Sequence, residues 1–184
     1  MYEEKIQRIK LFKDTDNMYP KNDGIILDRT GILLFATQFE IQTFKPGQII
    51  YEADYIAEKV FFIISGQVEL TEPNNFFKIQ LSEGDTFGEM EFFKGLTRLT
   101  KAQAIKPKKL PQGDLDENQP NKEQIVELFS MNRAQFEAFF ANIYSYHGRI
   151  LRKLADRKLR EFKHLVRERL SEVEDMDTVR FSSS

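Results

Sequence analysis

Short apolar runs separated by turn residues fill the middle of the chain. From Phe39 they read FEIQTF before Pro46-Gly47, QIIY before Glu52-Ala53-Asp54, KVFFIIS before Gly66, QVELT before Glu72-Pro73-Asn74-Asn75, and FFKIQL before Glu83-Gly84-Asp85. Many short strands at close spacing, punctuated by glycine and proline, predict an all-β sandwich or barrel. Val60 to Ile64 is apolar throughout, which predicts a strand buried on both faces. Val68 and Leu70, then Phe77, Ile79 and Leu81, alternate with polar residues as half-buried strands do. Further strands are predicted over Leu99 to Ile105 and Ile125 to Met131.

The flanks carry a different period. Ile6, Ile9, Leu11 and Phe12 predict a short amphipathic helix over residues 2–13, and residues 14–24 read as a loop. Residues 25–36 are apolar but broken by Asp28-Arg29-Thr30-Gly31 and take no assignment. Residues 106–122 hold prolines at 107, 111 and 120 and almost nothing apolar, which predicts a long surface loop. Asn132 with Gln135 three residues on has the form of a capping box. A helix is expected from there, with Phe136, Phe139, Phe140 and Ile143 on its apolar face and a kink or break at Gly148. Leu151, Ala155, Leu159, Phe162, Val166, Leu170 and Val173 then form a stripe spaced by fours and threes. A helix over 143–170 is about 40 Å long, longer than a small barrel is wide. Part of the stripe is therefore expected to bury against a protein partner or a second copy, with Leu151, Leu159, Phe162 and Val166 as the interaction positions. From Ser171 the chain turns acidic, then serine-rich, and is expected to fray. The division that follows is an N-terminal helical and loop segment over 1–34, a β domain over 35–131 with the insertion 106–122, C-terminal helices over 132–173 and a flexible tail over 174–184.

Composition narrows the function classes. At 184 residues the chain is long enough to bury a core without staples. It has no cysteine, which excludes disulfides, thiol catalysis and thiolate metal sites. A net charge of −2 argues against a globally basic nucleic-acid binder. The N-terminus is not a secretory signal, and no apolar run reaches bilayer length, so a soluble cytoplasmic or intracellular protein without a transmembrane segment is expected. His147 and His164 both fall in the helical segment, so no metal site is expected inside the barrel. No carboxylate pair or serine–histidine pair has a setting for catalysis, and the expectation is no enzyme and no cofactor. Residues 149–169 are locally basic, with nine Lys and Arg (Arg149, Arg152, Lys153, Arg157, Lys158, Arg160, Lys163, Arg167, Arg169) against Asp156, Glu161 and Glu168. That reads as a solvated helix face with pairs such as Asp156–Arg160, or as a docking surface for an acidic partner, RNA or a membrane surface. No DNA-binding domain is expected, since no winged or helix-turn-helix segment follows.

The stretch from Gly84 to Phe93, GDTFGEMEFF, with Arg98 just downstream, is where chemistry concentrates. Glycine lets backbone approach a ligand. Arginine grips phosphate oxygens with parallel hydrogen bonds, and a carboxylate accepts from sugar hydroxyls.

Three segments together, Pro46-Gly47-Gln48-Ile49-Ile50-Tyr51, Val60 to Val68 and Gly84 to Met90, resemble the cyclic nucleotide-binding domains over roughly residues 35–170. The resemblance implies a mainly β fold with flanking helices: an eight-stranded β-roll, or jelly roll, with an N-terminal helix and a long C-terminal helix. It implies a ligand-binding group of Gly88, Glu89, Met90 and Arg98, with Arg98 on the cyclic phosphate and Glu89 on the ribose 2′-hydroxyl of cAMP or cGMP. Glu91 stands where the family has a small residue, Leu99 where it has a small or hydroxyl residue, and Lys101 where threonine is typical. Glu91, Leu99 and Thr100 are therefore kept apart from that group. Lys101 is a second cation for the phosphate if it points inward. Two functions follow. One is a non-catalytic regulatory domain that senses cAMP or cGMP and relays it through the C-terminal helix to a partner. The other is a degenerate fold without ligand, acting as a structural, assembly or interaction module.

Overall fold

The computed structural model of the chain describes residues 37–106, 125–140 and 145–181. The helix expected over 2–13, the rest of segment 1–34, nearly all of loop 106–122 and Ile143 lie outside the described residues. The described elements are strands β1 Glu40–Phe44, β2 Ile49–Tyr51, β3 Lys59–Ser65, β4 Gln67–Thr71, β5 Lys78–Ser82 and β6 Thr86–Phe87, helix α1 Glu89–Lys94, strands β7 Lys101–Ile105 and β8 Val126–Asn132, and helices α2 Arg133–Phe140 and α3 Ser145–Phe181.

The eight strands make two antiparallel four-stranded sheets, in the orders β1-β8-β3-β6 and β2-β7-β4-β5. The fold is mainly β, a roll with flanking helices. β3 shows why Val60 to Ile64 is apolar on both faces. Phe61 and Ile63 point between the sheets, where they meet Val68, Phe87, Ala102, Ala104, Val126 and Leu128. Val60, Phe62 and Ile64 point the other way, into a second core with Phe92, Phe129, Met131, Phe136, Phe139, Phe140 and Leu151. The outer face of one sheet is thus covered by helices, and the phenylalanines of α2 are the cover.

The capping box forms as its residues dictate. The Gln135 N–H donates to Asn132 Oδ1, and the Asn132 N–H donates to Gln135 Oε1, both at 2.9 Å. Arg133, the first residue of α2, stacks over the Phe92 ring at 4.4 Å and donates to the Phe92 carbonyl, which ties α2 to α1.

Four features differ from the expectations. The two-residue strand β6 and the helix α1 are both too short to show a period. Gly148 does not end α3, which runs through it. A Cβ there would come within 2.9 Å of Phe140 Cβ, so the glycine permits a close approach of α3 to α2. α3 also continues to Phe181, beyond the fraying expected from Ser171, through residues that favour helix such as Glu172, Glu174 and Met176. At 37 residues it is about 55 Å long. Finally, Leu151 is wholly buried in the helix-side core, so it faces its own roll and offers nothing to a partner.

Candidate functional site

The cassette is built from turn geometry outward. Gly84, at φ 87°, donates to the Ile63 carbonyl at 2.8 Å, and the Asp85 carboxylate accepts the Ser82 N–H at 2.9 Å. These bonds fix the chain into β6, which pairs with β3. Gly88, at φ 75°, ends β6 and opens α1, and Gly95, at φ 63°, closes it. A Cβ on Gly88 would meet Arg98 Nη1 at 2.7 Å, so this glycine is required by both its backbone and its neighbour. Within α1, Phe92 anchors the helix in the helix-side core while Glu89 and Glu91 are buried in the cassette.

Arg98 is a buried cation, 2% exposed. Its backbone is strapped to the β2–β3 connection, donating to the Tyr55 carbonyl and accepting from the Asp54 N–H, both at 2.8 Å. Its guanidinium lies over the Tyr51 ring at 4.3 Å. Nη1 donates to the Gly88 carbonyl at 2.7 Å and Nη2 to the Lys59 carbonyl at 2.5 Å. Glu91 completes the shell. Its Oε2 lies 3.6 Å from Nη1 of Arg98, and its Oε1 accepts the Leu99 N–H at 3.1 Å. One carboxylate therefore sits against both the guanidinium and the adjoining backbone donor.

Burial pushes the Glu91 carboxyl above the ordinary carboxylate range, while the Leu99 N–H and Arg98 hold it back. Burial, reinforced by Glu91, also pushes the Tyr51 phenol up, against Arg98 and a hydrogen bond with Thr100. Tyr51 and Thr100 thus form the outer wall of the arginine site.

Glu89 lies in a different environment at 1% exposure. Lys158 of α3 brings its Nζ to 2.5 Å from Glu89 Oε1 and donates to the Thr86 carbonyl at 2.8 Å. The Glu89 contact is an ion pair without hydrogen-bond alignment, and neither Oε1 nor Oε2 has a hydrogen-bond partner. Two further contacts hold α3 over the cassette: Lys94–Asp156 at 2.6 Å, and Phe77 edge-on to Phe162 with centroids 5.3 Å apart. Lys94 holds the Asp156 carboxyl below its ordinary range, chiefly by hydrogen bonding, and Arg160 adds only a minor charge effect. The pair expected between Asp156 and Arg160 is displaced by that contact. Arg157–Glu161 and His164–Glu168 are the helix's own i,i+4 pairs.

The structure thus brings Gly88, Glu89, Glu91, Arg98, Leu99 and Thr100 together, with Met90 half-buried beside them. Lys101 falls outside. Ala102 and Ala104 are the inward residues of β7, so Lys101 is on the opposite face and does not act as the second cation. Of the stripe on α3, Phe162 packs on Phe77 of its own roll, while Leu159 and Val166 are half-buried and Leu165 and Leu170 are exposed. The pairing of Lys158 with Glu89 links residues far apart in sequence, and no local pattern marks Lys158 among its basic neighbours. Among the described residues no group of three His, Asp or Glu side chains is placed to hold a metal ion, and no helix is long and apolar enough to cross a membrane.

Residues 41–110 match the model of the family described as "Cyclic nucleotide-binding domain". Among solved structures the chain is similar to cAMP-bound PfPKA-R, at 16% identity and a TM-score of 0.62 over 91% of this chain and 46% of that one. It is also similar to the catabolite activator protein of Thermus thermophilus, at 21% identity and a TM-score of 0.58 over 79% of this chain and 61% of that one. A third is the regulatory subunit of a cAMP-independent protein kinase A from Trypanosoma brucei, at 19% identity and a TM-score of 0.52 over 73% of this chain and 43% of that one. The chain thus spans between 43% and 61% of the length of these three proteins. No curated protein matches it. At these identities the structural likeness speaks for the fold, and the family match spans the stretch in which Gly88, Glu89 and Arg98 lie. Residues 41–110 thus carry the sequence pattern of the cyclic nucleotide-binding domain family, and the roll has the fold of these solved structures.

Proposed function

We propose that this chain is a non-catalytic regulatory domain of the cyclic nucleotide-binding type that works without cAMP or cGMP, as an interaction module whose cassette is closed by its own side chains. The observation that carries this reading is Glu91. Its carboxylate accepts the Leu99 N–H and lies 3.6 Å from Nη1 of Arg98, the residue to which the family resemblance gives the cyclic phosphate. A second anion about 4 Å away is opposed by about 4 kcal/mol at the effective dielectric constant of such sites. That is nearly a thousandfold in affinity. The match to a cAMP-independent kinase regulatory subunit shows that the same roll occurs in a protein described in those terms.

The sensor reading, in which cAMP or cGMP binds and α3 relays it, is supported by one observation. Arg98 and Glu89 are both kept and both buried in the cassette. Calorimetric titration decides between the two. We expect no saturable heat with cAMP or cGMP at millimolar concentration. Saturable binding of either nucleotide, lost on Arg98→Lys, overturns the ligand-independent reading.

A further inference from the structure

The far half of α3 leaves the roll. Phe162 packs on Phe77, and past it residues 163–171 are exposed apart from half-buried Val166. Leu170 is 46% exposed, and the helix runs on to Phe181. The helical period puts positions 160, 163, 167, 170, 174 and 177 on one stripe, spaced by threes and fours. That stripe reads Arg, Lys, Arg, Leu, Glu, Asp. Its charge is split at Leu170, with cations before and acids after. The neighbouring stripe neutralises itself through Arg157–Glu161 and His164–Glu168. Among the described residues no carboxylate lies within ion-pair distance of Arg160, Lys163 or Arg167.

We propose that this stripe docks a second copy of the chain in antiparallel register, by a two-fold pairing centred on Leu170. In that register Leu170 meets Leu170, Lys163 meets Asp177 and Arg167 meets Glu174, and the two-fold axis repeats each pair. Positions 166 and 173, both valine, face each other beside the axis, which gives the seam an apolar centre and a charged rim. A parallel register sets cation against cation and acid against acid, which is destabilising. A phosphate backbone or an anionic membrane suits the cations but is repelled by Glu174 and Asp177 on the same stripe. The surface complements itself, and a second copy is the partner that supplies both signs in the right order. Two helices meeting over about 25 Å bury less than a standard interface, so the association is weak and concentration-dependent. The stripe is separate from the cassette and stands whether or not a cyclic nucleotide binds there.

The test is sedimentation equilibrium of the full chain, over concentrations up to about 1 mM and at low and high salt. One variant reverses the basic end, Lys163→Glu with Arg167→Glu. Another reverses the acidic end, Glu174→Lys with Asp177→Lys. A third carries all four substitutions. Glutamate and lysine are both good helix formers, and thermal melting confirms that each variant is folded. We expect wild type to dimerise, and less tightly at high salt. Each two-site variant should dimerise about tenfold or more weakly, because its opposed pairs become like-charged. The four-site variant should recover wild-type association, because every antiparallel pair is again of opposite sign. A chain that stays monomeric throughout overturns the proposal. Association that high salt strengthens, or that the two-site reversals leave unchanged, overturns the antiparallel register, and so does a four-site variant that fails to recover. Titration with a single-stranded RNA runs beside it; RNA binding by a monomeric chain would assign the cations to a phosphate backbone and overturn the proposal. None of these outcomes bears on the titration with cAMP and cGMP, so the two readings fail separately.

Discussion

Removing the Glu91 carboxylate is the sharpest perturbation of this site. Glu91→Ala installs the small residue that the family pattern has here, but it strips Arg98 of its anion while leaving the guanidinium 2% exposed. Truncating one partner of a buried ion pair costs about 3–5 kcal/mol, because the remaining charge is uncompensated. The Leu99 N–H loses its acceptor too, but water admitted by the smaller side chain offsets part of that. In a domain of this size each kcal/mol moves the melting temperature by roughly 2–4 °C. The variant should therefore melt about 6–20 °C below wild type in phosphate-free buffer. The same vacated donors now face a position that an external anion can take. cAMP at a hundred times its dissociation constant stabilises by about 2.7 kcal/mol, returning much of the loss. The assay is a thermal melt of both proteins against rising cAMP. We expect wild type to be insensitive and the variant to rise with nucleotide. A variant that melts with wild type would show that Glu91 does not neutralise Arg98. A destabilised variant that cAMP leaves unmoved would show that the donors of Arg98 and Leu99 do not form a phosphate site.

Gly88→Ala combines a left-handed backbone at φ 75° with a Cβ at 2.7 Å from Arg98 Nη1, and should cost about 1–3 kcal/mol in urea unfolding; an unchanged midpoint would show that Arg98 shifts freely. Lys158→Met keeps the aliphatic stem but removes the counter-ion of Glu89, and should cost about 1–3 kcal/mol and speed amide exchange along α3; unaltered exchange would mean that the other contacts suffice to hold the helix. Because its folded-state pKa is raised, ionised Glu91 is disfavoured by folding relative to the protonated form. The stability of wild type relative to Glu91→Gln should thus fall as pH rises from about 4.3 through the folded value, and a pH-independent difference would refute the burial effect.

The fold was legible because its signals are local. The runs from FEIQTF to FFKIQL, the apolar stretch Val60 to Ile64 and the Asn132–Gln135 cap each carry their own period or spacing, and each is found where its residues lie. Helix α1 and strand β6 were not legible, because six and two residues hold no period. The site was half legible. Glu89 and Arg98 stand out by residue type near two glycines. What they touch depends on contacts across the fold: Lys59 and Tyr51 from the strands, and Lys158 from a helix about seventy residues on. The stripe on α3 was read for its amphipathicity. A hydrophobic period says that a face is buried but not against what, and Leu151 and Phe162 proved to be covered by the roll itself.

The central claim is positional: the Glu91 carboxylate occupies the place of a phosphate on Arg98. A crystal structure of the wild-type chain grown with millimolar cAMP tests it directly. We expect Glu91 on Arg98 Nη1 and the Leu99 N–H, with no nucleotide phosphate at either. A cyclic phosphate on Arg98, with Glu91 turned away, would contradict it.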